Sequence, residues 1–178
     1  AAGRITKESF VHVKEQARSR VQGYCERLMS IAAMMVLLKA VIQALPAYSM
    51  SCFKLNKGLC QKVTTVMSKF WWDESLDKRR MHWQSWEKMA ISKSKGGLGF
   101  RDLELLNDAM LAKQVWRLLD KPDSLCARVL TGRYYPDGDF LQAGCPANAS
   151  TTWKAIITGR EVLKSGLIRR VGDGPTTE

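Results

Sequence analysis

The stretch that most limits this chain's fold is a run of side chains with almost no polar face. Residues 31–38 are wholly apolar, and after Lys39 the apolar character resumes as far as Leu45. The run is too short to span a bilayer, so it reads as a core helix. Ser30 supplies an N-cap, because its hydroxyl can accept from a free backbone N–H of the first turn. Pro46 ends the helix by disfavouring helical geometry in the residue before it. A helix apolar nearly all round predicts burial on several sides. Residues 48–53 then read as a short extended connector.

The neighbouring segments are amphipathic. Residues 7–28 place Phe10, Val13, Ala17, Val21 and Leu28 at helical spacings, with Gly23 as an interruption and Lys7, Lys14, Arg18 and Arg20 on the polar side. Asn56 caps a helix to Trp72, where Leu55, Leu59, Val63, Val66 and Phe70 make one stripe. Residues 73–80 read as a charged loop. One helical turn would bring Trp83 and Trp86 to a common face. Gly96, Gly97 and Gly99 permit a tight turn with positive φ. Their spacing matches neither the Walker A loop nor the dinucleotide fingerprint.

Asp102 caps a further helix whose apolar face is Leu105, Ala109, Ala112, Trp116 and Leu119, widened by Leu106 and Met110. A shorter helix covers residues 124–130. Residues 132–146 hold five Gly/Pro with Tyr134, Tyr135 and Phe140, a loop pinned by aromatics. Ser150 starts a last helix with Trp153, Ile156, Ile157 and Leu163 on one face, and Gly166 stops it. Residues 167–174 read as a short extended segment and turn. The expected fold is mostly α, a multi-helix chain with short extended connectors and little β. A break at residues 96–99 would give a basic helical segment, 1–95, and a helical segment, 96–178, opening with the glycine turn. The alternative is one continuous domain.

Charge is distributed unevenly. The chain has net charge +11 over 178 residues. Residues 1–100 carry 17 Lys/Arg against 7 Asp/Glu, and the remainder carry 11 against 10. A localised cationic excess concentrates polyanions, of which nucleic acid is the commonest, although a solvated basic surface has the same composition. Lys78, Arg79 and Arg80 precede Trp83 and Trp86, and cations beside aromatics suit backbone contact with base stacking. The competing reading makes the tryptophans core anchors.

No catalytic constellation can be assembled. His12 and His82 lack a neighbouring feature that marks a general base. There is no Asp-Asp pair of the kind that holds two magnesium ions in polymerases, and Asp73, Glu74, Asp137 and Asp139 lie in loops without an acidic cluster. The five cysteines show no CxxC spacing, so reduced thiols in an intracellular protein are expected, with no zinc. The start shows no signal-peptide pattern, and the lack of an initiator Met suits a fragment.

The run Val41-Ile42-Gln43-Ala44-Leu45-Pro46-Ala47-Tyr48-Ser49-Met50-Ser51 resembles a segment of plant LINE-type (non-LTR) retrotransposon reverse transcriptase polyproteins. So do Phe70-Trp71-Trp72, Lys78, Arg79, Arg80, His82-Trp83, Trp86 and Gly96-Gly97-Leu98-Gly99-Phe100-Arg101-Asp102-Leu103. In the same order follow Asn107, Ala109, Leu111-Ala112-Lys113-Gln114, Trp116-Arg117-Leu118, Tyr134, Tyr135, Pro136, Trp153, Gly159-Arg160 and Arg170-Val171-Gly172-Asp173-Gly174. The resemblance implies a region downstream of the polymerase palm and upstream of the zinc-binding segment, with thumb-like leading helices. It carries over no catalytic aspartate and no zinc ligand.

The resulting expectation is a noncatalytic accessory fragment of an RNA-directed DNA polymerase, inactive alone, that contacts RNA or DNA template–primer. Lys14, Arg18, Arg20, Lys78, Arg79 and Arg80 are the candidate contacts. No cofactor is expected in the chain, and Mg only in the polymerase palm. The other expected partners are the polymerase and zinc-binding regions of the same polyprotein, with no membrane, in the nucleus or cytoplasm. The alternatives are a protein-docking scaffold fragment of that polyprotein, or the product of a decayed element.

Overall fold

A computed structural model describes residues 15–17, 19–20, 29–73, 81–136 and 138–167. Among these, helix is the dominant regular structure and there is no strand, as the apolar spacings predict. Residues 15–17, 19 and 20 are helical; Ala17 is fully buried while Arg20 is exposed.

Helix α1 (Ile31–Leu37) starts at Ser30, whose hydroxyl accepts from the Ala33 N–H at 3.2 Å. The chain then widens into a π-helical turn, Leu38–Ile42, with the Gln43 N–H reaching back to the Leu38 carbonyl at 2.9 Å. The two polar residues of the apolar run sit at this turn. Lys39 donates to the Leu98 carbonyl at 2.5 Å, and Gln43 Nε2 to the Arg101 carbonyl at 3.2 Å. They tie the run to the glycine turn sixty residues on, and an inserted π-turn is a common way to re-aim side chains like these.

Burial of the run on several sides is not found. Leu37, Leu38 and Ile42 face the core, but Ile31 is 70% exposed and Val36 64%. Nor is the connector after Pro46 extended. Residues 47–52 form helix α2 (Ala47–Cys52), with Pro46 itself at its N-cap. Proline suits a helix start, where no N–H is required of it.

Helix α3 (Lys57–Trp72) begins at Asn56, whose side chain accepts from the Gly58 N–H at 2.8 Å. Cys60, Val63, Val66, Met67 and Phe70 are its buried face. Helix α4 (Trp86–Ala90) is short, and Lys93–Lys95 make one 3₁₀ turn. Trp83 stands outside α4 at 77% exposure, so it shares no helical face with Trp86. Trp86 instead stacks on Phe100 at 4.8 Å, and Trp71 meets the same ring edge-on at 5.6 Å.

Helix α5 (Leu103–Asp120) is capped by Asp102, which accepts from the N–H groups of Glu104 and Leu105. Its inward face is Leu103, Asn107, Leu111, Val115 and Leu118. This corrects the face centred on Leu105, Ala109 and Trp116: Leu105 is 69% exposed and Trp116 50%. Both stripes fit a helical period, and the winning one contains the only polar residue that finds buried partners. Asn107 Oδ1 accepts from the Leu55 N–H at 2.8 Å; its Nδ2 donates to the carbonyls of Met50 and Phe53 at 2.8 and 3.0 Å. The end of α2 and the start of the α3 segment are thereby fastened to α5.

Helix α6 (Leu125–Tyr134) runs past the expected end at residue 130, and helix α7 (Thr151–Gly166) ends at Gly166 as expected. Helices α5 and α7 cross at Gly159. A Cβ there would lie 2.6 Å from the Leu111 carbonyl carbon, so glycine sets how closely the two backbones approach. The loop between α6 and α7 is pinned as its aromatics predict. Tyr134 stacks on Trp153 at 4.4 Å, and the Trp153 indole donates to the Gly144 carbonyl at 3.1 Å. Buried Arg160 donates to the carbonyls of Phe140 and Ala143. Two apolar clusters result, one around α1–α4 and one around α6 and α7. Helix α5 contributes Leu103 to the first, and Val115 and Leu118 to the second.

Candidate nucleic-acid interface

A polyanion needs cations that are exposed and not already neutralised. Of the six candidates chosen from sequence, Lys14, Arg18, Lys78, Arg79 and Arg80 lie outside the described residues. Arg20 is exposed on the helical stretch that buries Ala17, three residues before it.

Other cations before α5 divide into two groups. Lys54 is paired with Asp108, and Lys57 lies 3.9 Å from Glu104. Lys62, Lys69, Lys88, Lys93, Lys95 and Arg101 make no ion pair with any described residue. Surface cations of this kind attract a polyanion at long range and release counterions when it binds. Beside them, the exposed indole of Trp83 offers a ring face to a nucleobase.

Lys39 is the cation that inspection of the sequence passed over as a break in an apolar run. It is half-buried, donates to Leu98, and lies over the Phe100 ring at 5.3 Å from the centroid. Burial, and secondly the charge of Lys93, hold its ammonium below the usual lysine pKa. A lysine alone in an apolar run is the signal that could have drawn attention to it.

A groove of about 970 Å³ lies between α3, α4 and the start of α5. Thr64, Thr65 and Ser68 line it from α3, with Trp86, Arg101 and Glu104 opposite. Its ionisable lining mixes Glu87, Asp102 and Glu104 with Lys69 and Arg101, so it offers no single sign of charge. His82 stands at its edge, 3.1 Å from the fully buried Asp73 carboxylate and stacked on Trp72. Asp102 is occupied in capping α5. Asp139 likewise accepts from the Leu141 N–H, 2.9 Å away. Among the described residues no three His, Cys, Asp or Glu side chains gather as metal ligands. No helix among them is long and apolar enough to cross a membrane.

These features define a chain that is helical and without strand among its described residues, with cations lacking an ion pair both before α5 and, as Lys113, Arg128 and Lys154, from α5 onward. The chain belongs to the same family as the "Uncharacterized mitochondrial protein AtMg00310" of Arabidopsis thaliana. The two are 46% identical over 136 residues, which cover 76% of this chain and 88% of that protein. It is also 33% identical over 177 residues to the "Putative ribonuclease H protein At1g65750" of the same plant. That alignment covers 96% of this chain but only 28% of the larger protein's length. No family model matches the chain, and no solved structure matches it.

Proposed function

We propose that this chain is a noncatalytic accessory region of a plant LINE-type retrotransposon polyprotein, an RNA-directed DNA polymerase. In this reading it follows the polymerase palm, precedes the zinc-binding segment, and holds the backbone of an RNA or DNA template–primer through the cations of its first half. Mg belongs to the palm of the longer polyprotein, and the setting is nuclear or cytoplasmic. That α5 contributes side chains to both apolar clusters supports reading the two segments, 1–95 and 96–178, as one continuous domain.

The observation that carries the proposal is the likeness over 96% of the chain to a much longer protein named for ribonuclease H. The unpaired cations before α5 and the exposed Trp83 support the contact with nucleic acid. Reversing Lys78, Arg79 and Arg80 to Glu is expected to weaken binding of a template–primer oligonucleotide by about tenfold or more at low salt. Unchanged affinity would remove these three residues from the interface.

A second reading rests on a separate observation. Ile31, Val36, Tyr48, Leu105 and Trp116 are large apolar side chains at 50% exposure or more. A fragment that docks on the rest of its polyprotein would cover them. Self-association of the isolated chain, without affinity for oligonucleotides, favours this reading over the first.

A further inference from the structure

The glycine turn brings the side chains of two lysines to one residue. Met89 and Ile91 receive the N–H groups of Leu98 and Gly99 through their carbonyls, both at 2.9 Å. Gly97 has no room for a side chain, since a Cβ would lie 2.0 Å from the Ile91 carbonyl oxygen. These contacts clamp the Lys93–Lys95 turn onto residues 97–99. At Gly99, with φ of +66°, a Cβ would stand 3.7 Å from the Lys39 ammonium nitrogen and 3.7 Å from Lys93 Cγ. Lys39 reaches the same spot from the π-turn sixty residues earlier.

The pair is electrostatically incomplete. Lys39 spends one N–H on Leu98 and has others free, and neither lysine has a carboxylate partner among the described residues. The Lys93 stem passes Gly99 at its Cγ and its charge acts on the Lys39 ammonium, so an anion drawn between the two would relieve their repulsion. The missing side chain at Gly99 leaves that anion a way in. Resting on the nucleic-acid reading above, we infer that Lys39 and Lys93, whose side chains both pass Gly99, grip one backbone phosphate of a bound nucleic-acid strand. Lysine suits this as a point charge with several rotatable donors. The depressed Lys39 ammonium agrees, since a phosphate would restore its ordinary proton affinity.

The test uses the full chain and two variants. Lys93→Ala alters an exposed side chain, and Lys39→Met keeps the length and the contact with Phe100 while removing the charge. Each is checked for helicity by circular dichroism. Losing one phosphate contact predicts about fivefold weaker oligonucleotide binding at low salt, and a salt slope smaller by about 1. If the chain binds oligonucleotides and Lys93→Ala binds them with unchanged affinity and slope, the phosphate grip is wrong and the broader reading stands. If the intact chain binds no oligonucleotide, both fall. Inorganic phosphate provides the remaining arm, followed through the Lys39 and Lys93 side-chain NMR signals. Shifts with phosphate but none with oligonucleotide would overturn the backbone assignment in favour of a free-phosphate site.

Discussion

Asn107 shows how a single polar residue can decide which face of a helix points inward. It satisfies one N–H and two carbonyls that α2 and the α3 segment leave free. Replacing it by Leu keeps the volume but orphans all three buried groups. The expected cost is about 3 kcal/mol in urea unfolding, against well under 1 kcal/mol for an exposed substitution such as Lys113→Ala. Gly159→Ala is expected to destabilise by about 1–3 kcal/mol, because the added methyl meets Leu111 backbone that cannot yield. Gly132→Ala, inside α6 with open space around it, is expected to stabilise by about 0.5 kcal/mol. Thermal unfolding of the pair separates close packing from a generic glycine effect. Burial pushes the Cys60 thiol up to about 11 from 9.0, so it stays a neutral thiol at neutral pH. The unfolded chain releases this proton first as pH rises, so the stability this group contributes is full below 9.0 and is lost towards 11. A thiol reagent at pH 8 should modify Cys126 and Cys145, which are exposed, and leave Cys60 untouched until the chain unfolds.

Helix ends were far more legible than helix faces. Ser30, Asn56, Asp102 and Ser150 all cap where their side chains suggest, because a cap is a contact within three residues and needs no tertiary knowledge. The face of α5 was misread because two stripes shared one period, and burial was decided by partners some fifty residues away. The helix after Pro46 and the π-turn at Leu38–Ile42 escaped for the same reason, since both are shaped by what residues 98–107 offer. The cap on α7 carries an extra load. The Ser150 hydroxyl accepts from the Trp153 N–H at 3.2 Å and meets the Tyr134 hydroxyl at 3.1 Å, joining α7 to the end of α6. Ser150→Ala is expected to cost about 1–2 kcal/mol by chemical denaturation. Tyr134→Phe should cost about 1 kcal/mol, and the double variant less than the sum.

Over the whole molecule, sequence motifs that look functional turn out to build the scaffold. Gly97, Asn107, Trp153, Gly159 and Arg160 each close a backbone approach or satisfy a buried carbonyl. The candidate site was legible only as a charge count. Counting cannot reveal that Lys54 and Lys57 are spent on ion pairs, or that Lys39 and Lys93 converge on one glycine. Those facts depend on segments far apart in the chain. What the count did convey, a cationic first half, is the property on which the proposed function depends. A polyanion held mainly by phosphate contacts must displace its counterions, and that displacement has a fixed signature in salt. The most direct measurement is therefore the affinity of the intact chain for a template–primer oligonucleotide across a salt series. The account predicts a fall of about a hundredfold or more between about 50 mM and about 200 mM monovalent salt, linear in logarithmic form. Affinity that stays level across that range, or no binding at low salt, would contradict it.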